Sequence, residues 1–189
     1  MQPRMSEAEL QLFESFLRCA VSYIEFGCGG STLMAAKLVA GSVTSVDSDM
    51  HWIADVQKAC AEASTAVKPD LHCVDIGPTG EWGCPTDETT RSRWPTYHRS
   101  LDALETVGIA DLFLVDGRFR VACFMQIALR AYPSTIIMLH DFRSRPQYHV
   151  VRSVAREIAV AEDMSVFQIL PDSSHEAARL LVDYEYDVR

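Results

Sequence analysis

Short apolar runs alternate with longer amphipathic stretches along most of the chain, and this alternation constrains the fold more than any other feature. It is typical of βαβ units, in which parallel strands form a sheet and the connecting helices cover both of its faces. The sequence therefore predicts an α/β fold. We expect strands at residues 21–26, 42–47, 71–75, 111–116, 135–140 and 165–170, and a last strand at residues 178–184.

The stretches between these strands predict helices. A further helix opens the chain, because Ser6 and Glu9 have the spacing of a capping box and apolar residues follow at helical intervals. Residues 77–95 show neither the two-residue period of a strand nor the 3.6-residue period of a helix. They contain two tryptophans, so we expect an ordered lid there. The other predicted helices lie at residues 31–40, 51–63, 98–107, 119–131 and 147–161.

The composition, 48% hydrophobic and 23% charged residues, is that of a globular protein, and a length of 189 residues fits a single domain. The net charge of −9 argues against nucleic acid as a partner. No stretch resembles a signal peptide or a membrane span, so we expect a cytoplasmic protein that binds a small molecule; a homodimer stays open. The six cysteines lack a C-x-x-C pair, which argues against structural zinc and disulfides.

A glycine-rich loop follows the first predicted strand. Gly27, Gly29 and Gly30 permit a tight turn and a close approach of a ligand to the backbone, and Ser31 can cap the next helix. Such a loop is typical of a nucleotide site. Asp47 ends the second predicted strand, where a carboxylate can accept hydrogen bonds from both hydroxyls of a ribose.

Two residues distinguish this loop from the glycine-rich fingerprint of dinucleotide-binding proteins. Thr32 stands where that fingerprint has its third glycine. Glu25 lies in an otherwise apolar strand just before the loop, so we expect a cationic partner for its buried charge. The ammonium and sulfonium groups of S-adenosylmethionine carry positive charge, whereas a pyrophosphate would be repelled. The loop therefore favours S-adenosylmethionine over NAD.

These features resemble the class I S-adenosylmethionine-dependent methyltransferases, over about residues 20–188. The resemblance implies a three-layer Rossmann-like methyltransferase fold, with a mostly parallel seven-stranded sheet and one antiparallel strand near an edge. Its later motifs are similar to those of small O-methyltransferase-like proteins. The motifs are Glu25-x-Gly27-x-Gly29, Val46-Asp47, Val74-Asp75, Leu114-Val115-Asp116-Gly117 and Met138-Leu139-His140-Asp141.

The resemblance also implies which residues hold the cofactor. Asp47 and Ser48 would bind the ribose, Asp75 and Ile76 the adenine, and Asp116 would lie beside the ligand. The methionine part would be held by Glu25 and by the loop residues Gly27, Cys28, Gly29, Gly30 and Ser31.

Asp116, His140 and Asp141 fall at the carboxyl ends of predicted strands, where open α/β sheets bind ligands, and we expect them to be catalytic. In one interpretation, Asp116 and Asp141 hold a divalent cation, as in the metal-dependent O-methyltransferases. Phe142 stands where those enzymes have a liganding asparagine, and Arg118 stands close to where they have a lysine base. In the other interpretation, no metal is used and His140 is a general base.

Arginines gather after the fourth and fifth predicted strands. Guanidinium groups bind carboxylates and phosphates in a bidentate manner, so this excess indicates an anionic acceptor; pairing with neighbouring acids is the alternative. Arg120 and Arg145 belong to this group. For contact with the acceptor we expect Trp82, Trp94, Arg118 and Arg143.

The sequence therefore predicts methyl transfer from S-adenosylmethionine to a small, anionic acceptor. One alternative is a catalytically inactive protein that keeps the fold and binds S-adenosylmethionine or a partner, because the asparagine and the lysine are missing. A NAD-dependent oxidoreductase is a further alternative, which Thr32 and Glu25 disfavour.

Overall fold

The computed structural model describes residues 1–104 and 106–189 and contains a seven-stranded sheet in the order β3-β2-β1-β4-β5-β7-β6. Neighbouring strands from β3 to β5 are parallel, whereas β7 runs antiparallel to both β5 and β6. The predicted sheet with one antiparallel strand near an edge is therefore confirmed. The strands are β1 (Ser22–Phe26), β2 (Ser42–Asp47), β3 (Asp70–Cys73), β4 (Leu112–Val115), β5 (Ile136–Leu139), β6 (Ala155–Ala161) and β7 (Met164–Ile169).

Helices cover both faces of the sheet, because side chains on opposite faces of β1, β4, β5 and β7 belong to separate apolar clusters. In β1, Tyr23 packs with α1 and α2, whereas Ile24 and Phe26 pack in the cluster that includes α5 and α6. No helix in the described part of the chain is long and apolar enough to cross a membrane. The helices are α1 (Glu7–Leu17), α2 (Gly30–Leu38), α3 (Met50–Glu62), α4 (Thr96–Arg99), α5 (Arg120–Arg130) and α6 (Ser174–Tyr184).

Six of the seven predicted strands are confirmed within a few residues, as β1 to β5 and β7. The capping box of α1 is also confirmed, since Glu9 N donates to Ser6 Oγ and Ser6 N donates to Glu9 Oε2 at 2.8 Å. Apolar runs locate buried parallel strands well because both faces of such strands are covered.

Two predicted elements near the end of the chain are wrong. The predicted helix at residues 147–161 is a 3₁₀ segment, Pro146–Ser153, followed by the edge strand β6, whose burial alternates with a period of two. The predicted strand at residues 178–184 belongs to α6, where Ala177 and Leu180 are buried at helical spacing. The run Leu180-Leu181-Val182 imitates a strand, but Val182 is exposed.

The predicted helix at residues 98–107 is also wrong in part. Its first residues end α4, and two 3₁₀ segments, Ser100–Ala103 and Val107–Ile109, follow. Glu105 lies outside the described residues. The predicted lid at residues 77–95 contains the 3₁₀ segments Glu81–Gly83 and Glu88–Arg93 and a short bridge between Thr79 and Pro85. This segment is therefore ordered without regular strands.

The ends of β1 and β4 approach each other so closely that only glycine fits between them. Gly27 has a φ of +94°, and a Cβ atom added there would lie 2.6 Å from Gly117 N. On Gly117, an added Cβ would lie 2.8 Å from Gly27 N. The two loops that follow these strands are therefore fixed side by side.

We expect Gly27→Ala to lower the free energy of unfolding by about 2–4 kcal/mol, because it combines a left-handed backbone with overpacking. Gly108→Ala is the matched control, since nothing lies within 4 Å of a Cβ added there. Its effect should stay within about 1 kcal/mol. Urea denaturation of the two variants measures the difference, and equal stabilities would contradict the close approach.

Candidate active site

A cavity of about 770 Å³ lies at the carboxyl ends of β1, β2, β4 and β5. Its volume is within the range of pockets that enclose small ligands. The structure thus brings together most of the predicted site residues. Those that line the cavity are Gly27, Cys28, Gly29, Gly30, Ser31, Asp47, Trp82, Asp116, Arg118, His140 and Asp141.

Six predicted site residues do not line this cavity: Glu25, Ser48, Asp75, Ile76, Trp94 and Arg143. Ser48 lies beside the lid, where a Cβ added to Gly83 would be 3.2 Å from its Oγ. Trp94 is 4% exposed and packs against Phe119 in the core. Arg143 is exposed on the outside. The predicted contacts of Trp94 and Arg143 with the acceptor are corrected accordingly.

The glycine loop is held by side chains from β2, α2 and α3. Cys28 N donates to Asp47 Oδ2 at 3.0 Å, and Gly29 N donates to Thr32 Oγ1 at 2.9 Å. The indole of Trp52 donates to the Cys28 carbonyl at 2.7 Å and lines the cavity. Burial raises the pKa of the Cys28 thiol, so this residue is an unreactive packing residue.

Glu25 has hydroxyl partners instead of the expected cation. It is fully buried, and it accepts hydrogen bonds from Tyr23 Oη at 2.8 Å, from Ser45 Oγ at 2.6 Å and from Thr32 Oγ1. Burial raises the pKa of Glu25 although the hydroxyl groups oppose this effect. Because Thr32 in turn accepts from Gly29 N, Glu25 supports the loop from behind. No cation among the described residues contacts Glu25, and a cation supplied by a ligand stays a prediction.

Asp47 reaches the cavity while supporting the same loop. Besides Cys28 N, it accepts hydrogen bonds from Ser48 N at 2.7 Å and Asp49 N at 3.1 Å. Burial raises the pKa of its carboxyl group, and these backbone donors oppose the change. Each carboxylate oxygen has two acceptor sites, so capacity for a ligand hydroxyl remains.

Asp75 and Ile76 do not lie at the cavity, contrary to the prediction that they bind adenine. Asp75 is exposed and pairs with Arg93 of the lid at 2.9 Å, and its Oδ1 accepts from Gly77 N. Ile76 is fully buried in the apolar core. Asp75 is thus engaged by the lid and Ile76 by the core, and their contact with adenine stays a prediction.

A charged cluster lies at the ends of β4 and β5. His140 Nδ1 lies 3.0 Å from Asp116 Oδ1. The guanidinium of Arg120 lies 3.1 Å from Asp116 Oδ1 and 2.9 Å from Asp141 Oδ2, and Arg145 lies 2.7 Å from the same Asp141 oxygen. Two arginines that were predicted for an anionic acceptor are thus paired with acids of the chain.

The electrostatics of this cluster alter the role expected of His140. Burial would lower the pKa of the imidazole, but the hydrogen bond with Asp116 and the charges of Asp116, Asp141 and Glu9 outweigh it and raise the pKa to about 9. Burial opposes the charge of Asp116, yet the His140 hydrogen bond and Arg120 lower the pKa of its carboxyl group. The raised pKa favours an imidazolium at neutral pH, which argues against His140 as a free base near neutrality.

The donor set does not fit a divalent cation. Asp116, His140 and Asp141 offer ligand atoms within 4.8 Å of one another. However, Arg120 and Arg145 already neutralise both carboxylates, and the next residue, Phe142, is apolar and fully buried. A cation would have to displace a guanidinium group that is 3% exposed. The ion pairs therefore argue against the metal-binding interpretation of Asp116 and Asp141.

The N-terminal segment, Met1–Met5, closes the cavity together with the lid. The backbone of Gln2 and Pro3 packs directly on Gly30, so that a Cβ added to Gly30 would collide with it. The guanidinium carbon of Arg4 lies 4.3 Å from the centre of a Trp82 ring. Trp82 itself has a φ of +61°. Donor and acceptor would therefore meet beneath two contacting segments.

Arg118 remains available to a ligand. It lines the cavity, and no carboxylate in the described part of the chain pairs with it. Its Nη1 contacts Cys84 Sγ at 3.3 Å, and its buried Nε has no hydrogen-bond partner among the described residues. Of the predicted acceptor residues, Arg118 and Trp82 are thus at the cavity.

Sequence reasoning missed several lining residues. Trp52 and Asp49 follow the predicted ribose residue Asp47 closely, and this spacing was an available signal. Arg145 was noted only as one of the arginines after the fifth predicted strand. Arg4 gave no signal of its own, because only tertiary packing brings it to the cavity.

Comparison with known proteins shows similarity in structure. No protein-family profile and no curated protein sequence matches the chain. A methyltransferase-like protein from Silicibacter pomeroyi has a TM-score of 0.86 and 28% identity, over 98% of this chain and 97% of that chain. The O-methyltransferase TomG from Streptomyces achromogenes, solved with S-adenosylmethionine, has a TM-score of 0.62 and 14% identity, over 87% of this chain and 81% of that chain.

An O-methyltransferase from Bacillus cereus, solved with S-adenosylhomocysteine, is also similar. Its TM-score is 0.54 and its identity 13%, over 96% of this chain and 70% of that chain. At this level of identity the likeness of the last two proteins concerns the fold.

We expect Mg²⁺ to produce no binding heat in calorimetry, because both carboxylates are neutralised by arginines. Arg145→Gln is a useful comparison, since it removes one of the two guanidinium groups on Asp141 and should permit weak binding. Tight Mg²⁺ binding to the unaltered protein would contradict the assignment of these carboxylates to the arginines.

Proposed function

We propose that this protein, whose fold is that of the class I S-adenosylmethionine-dependent methyltransferases, transfers a methyl group from S-adenosylmethionine to a small, anionic acceptor. The proposal rests on one observation above all: the glycine loop, Asp47 and Asp116 line the same 770 Å³ cavity at the ends of three adjacent parallel strands. A ligand held there would contact all three at once.

The glycine loop and Asp47 suit the methyl donor. Gly29 and Gly30 bring the backbone to the cavity at the start of α2, and Asp47 offers carboxylate oxygens to a ribose. Thr32 stands in the position where a dinucleotide site has glycine; it is fully buried, and its hydroxyl group donates a hydrogen bond to Glu25. This arrangement disfavours a pyrophosphate, since Glu25 places a carboxylate directly behind the loop.

Asp116 would face the transferred group. Its Oδ1 is taken by His140 and Arg120, whereas no hydrogen bond from the described residues reaches Oδ2. That oxygen can accept a hydrogen bond from the ammonium group of the donor or from the acceptor. The donor supplies a methyl group already activated by a sulfonium, so the protein mainly aligns the two reactants.

An anionic acceptor agrees with the charges of the site. His140 is protonated at neutral pH, and Arg118 has no carboxylate partner among the described residues. An acceptor that is already ionised, such as a carboxylate, needs no base and would be attracted by both groups. In this proposal, Arg118 and Trp82 contact the acceptor, and the positive charge of His140 attracts its reacting end. Asp116 and Asp141 hold His140 in its charged form.

We expect S-adenosylhomocysteine, and not NAD, to bind in isothermal calorimetry. Asp47→Ala should weaken that binding at least about tenfold, because it removes ribose acceptors and frees the N–H of Cys28. Asp55→Ala removes an exposed carboxylate on α3 and serves as the matched control with unchanged affinity. Equal affinities of the two variants, or binding of NAD alone, would overturn the cofactor assignment.

Transfer itself is tested with a radiolabelled methyl donor and a panel of small carboxylates, phenols and amines. Label should pass to carboxylates, and Arg118→Gln should raise the KM for them. Binding of S-adenosylhomocysteine without transfer to any compound would instead favour a protein that binds the ligand without catalysis.

A further inference from the structure

Glu9 lies at the charged cluster although it belongs to the N-terminal helix, where the sequence indicates only its role in the capping box. It is 4% exposed, and its Oε2 lies 3.6 Å from His140 Nε2. On the opposite side of the ring, His140 Nδ1 lies 3.0 Å from Asp116 Oδ1. The imidazole therefore stands between two carboxylates, one at each nitrogen.

Two backbone N–H groups fix the Glu9 carboxylate in this place. Ser6 N donates to Oε2 at 2.8 Å, and Asp163 N donates to Oε1 at 3.0 Å. Ser6 caps α1, and Asp163 lies in the turn between β6 and β7. Because β7 pairs with β5, the strand that leads to His140, one carboxylate joins α1, this turn and the site.

The charges around His140 balance only when Glu9 is counted with a protonated ring. The carboxylates of Asp116 and Asp141 face the guanidinium groups of Arg120 and Arg145. Glu9 adds a negative charge at the other ring nitrogen, and a protonated ring offsets it, since buried charge without compensation is costly. Asp163, whose own partner is Ser144, adds a weaker interaction with His140.

We infer that Glu9 is a positioning residue of the site, which orients the His140 ring and stabilises its positive charge. His140 then donates from Nδ1 to Asp116 Oδ1 and leaves Asp116 Oδ2 to the ligand. Glu9 does not line the cavity and acts through His140. This inference rests on the proposed function only for the role of Asp116.

The substitution Glu9→Gln tests the charge. Glutamine is accepted in capping boxes and keeps one oxygen for Ser6 N or Asp163 N. Removing an opposite charge this close should lower the proton affinity of His140 about tenfold. Glu7→Gln is the matched control, because Glu7 is exposed in the same helical turn and its carboxylate contacts only Gln11.

The first readout is the pKa of His140 in an NMR titration, assigned with His140→Asn. In the unaltered protein it should lie near 9, and it should fall in Glu9→Gln and not in Glu7→Gln. Because the pKa of His140 is raised from 6.5 to about 9, protonation of this residue stabilises the fold fully below about pH 6.5. This stabilisation is lost as the pH rises through 9. The difference in stability between Glu9→Gln and Glu7→Gln should therefore shrink above pH 9.

An ordinary pKa of His140 in the unaltered protein overturns the inference, even if Glu9→Gln does not fold. An equal shift in both variants overturns it as well. These NMR results do not depend on catalysis, whereas failure of S-adenosylhomocysteine to bind overturns the proposed function alone. With an acceptor in hand, the alkaline limb of kcat/KM should move to lower pH in Glu9→Gln, while the KM for the donor stays unchanged.

Discussion

The site depends on one buried guanidinium group. Arg120 is 3% exposed and pairs with Asp116 and Asp141 at the ends of two adjacent strands. It also donates to the backbone carbonyls of Asp116, Gly117 and His140. Removing one partner of such a buried pair costs about 3–5 kcal/mol, so the ends of β4 and β5 and the start of α5 form one unit. The cavity wall at this end is therefore rigid before any ligand binds.

Different forces hold the two sides of the cavity. On the side of β1 and β2, hydroxyl groups and backbone N–H groups surround Glu25 and Asp47, and the glycine loop follows these contacts. On the side of β4 and β5, ion pairs dominate. The first side is sensitive to added volume, as at Gly27, whereas the second side responds to pH through His140. The two sides of the cavity can thus be altered separately.

Local sequence was sufficient for the parallel strands, because a strand buried on both faces must be apolar. It failed for β6, an edge strand that exposes the apolar residues Ile158 and Val160 as well as Arg156, and for α6, where three consecutive apolar residues concealed the helical period. The glycine loop and the acids at strand ends were predictable since sheet topology brings strand ends together. Glu9 and Arg4 were not predictable, because their contacts with His140 and Trp82 depend on tertiary packing.

The strand register explains why Glu25 keeps its place in the motif but has another partner than expected. Glu25 lies opposite Ser45 and Leu114 in the sheet, so its side chain points to one face, toward α2, and not to the edge where ligands bind. Only residues beyond Phe26 reach that edge. An acid inside the strand therefore acts on the ligand through the loop that it supports: its carboxylate orders Thr32, and Thr32 orders the N–H of Gly29. Hydroxyl groups of the described residues, and not a cation, stabilise the carboxylate of Glu25. This carboxylate lies behind the glycine loop, where it would disfavour the binding of a pyrophosphate.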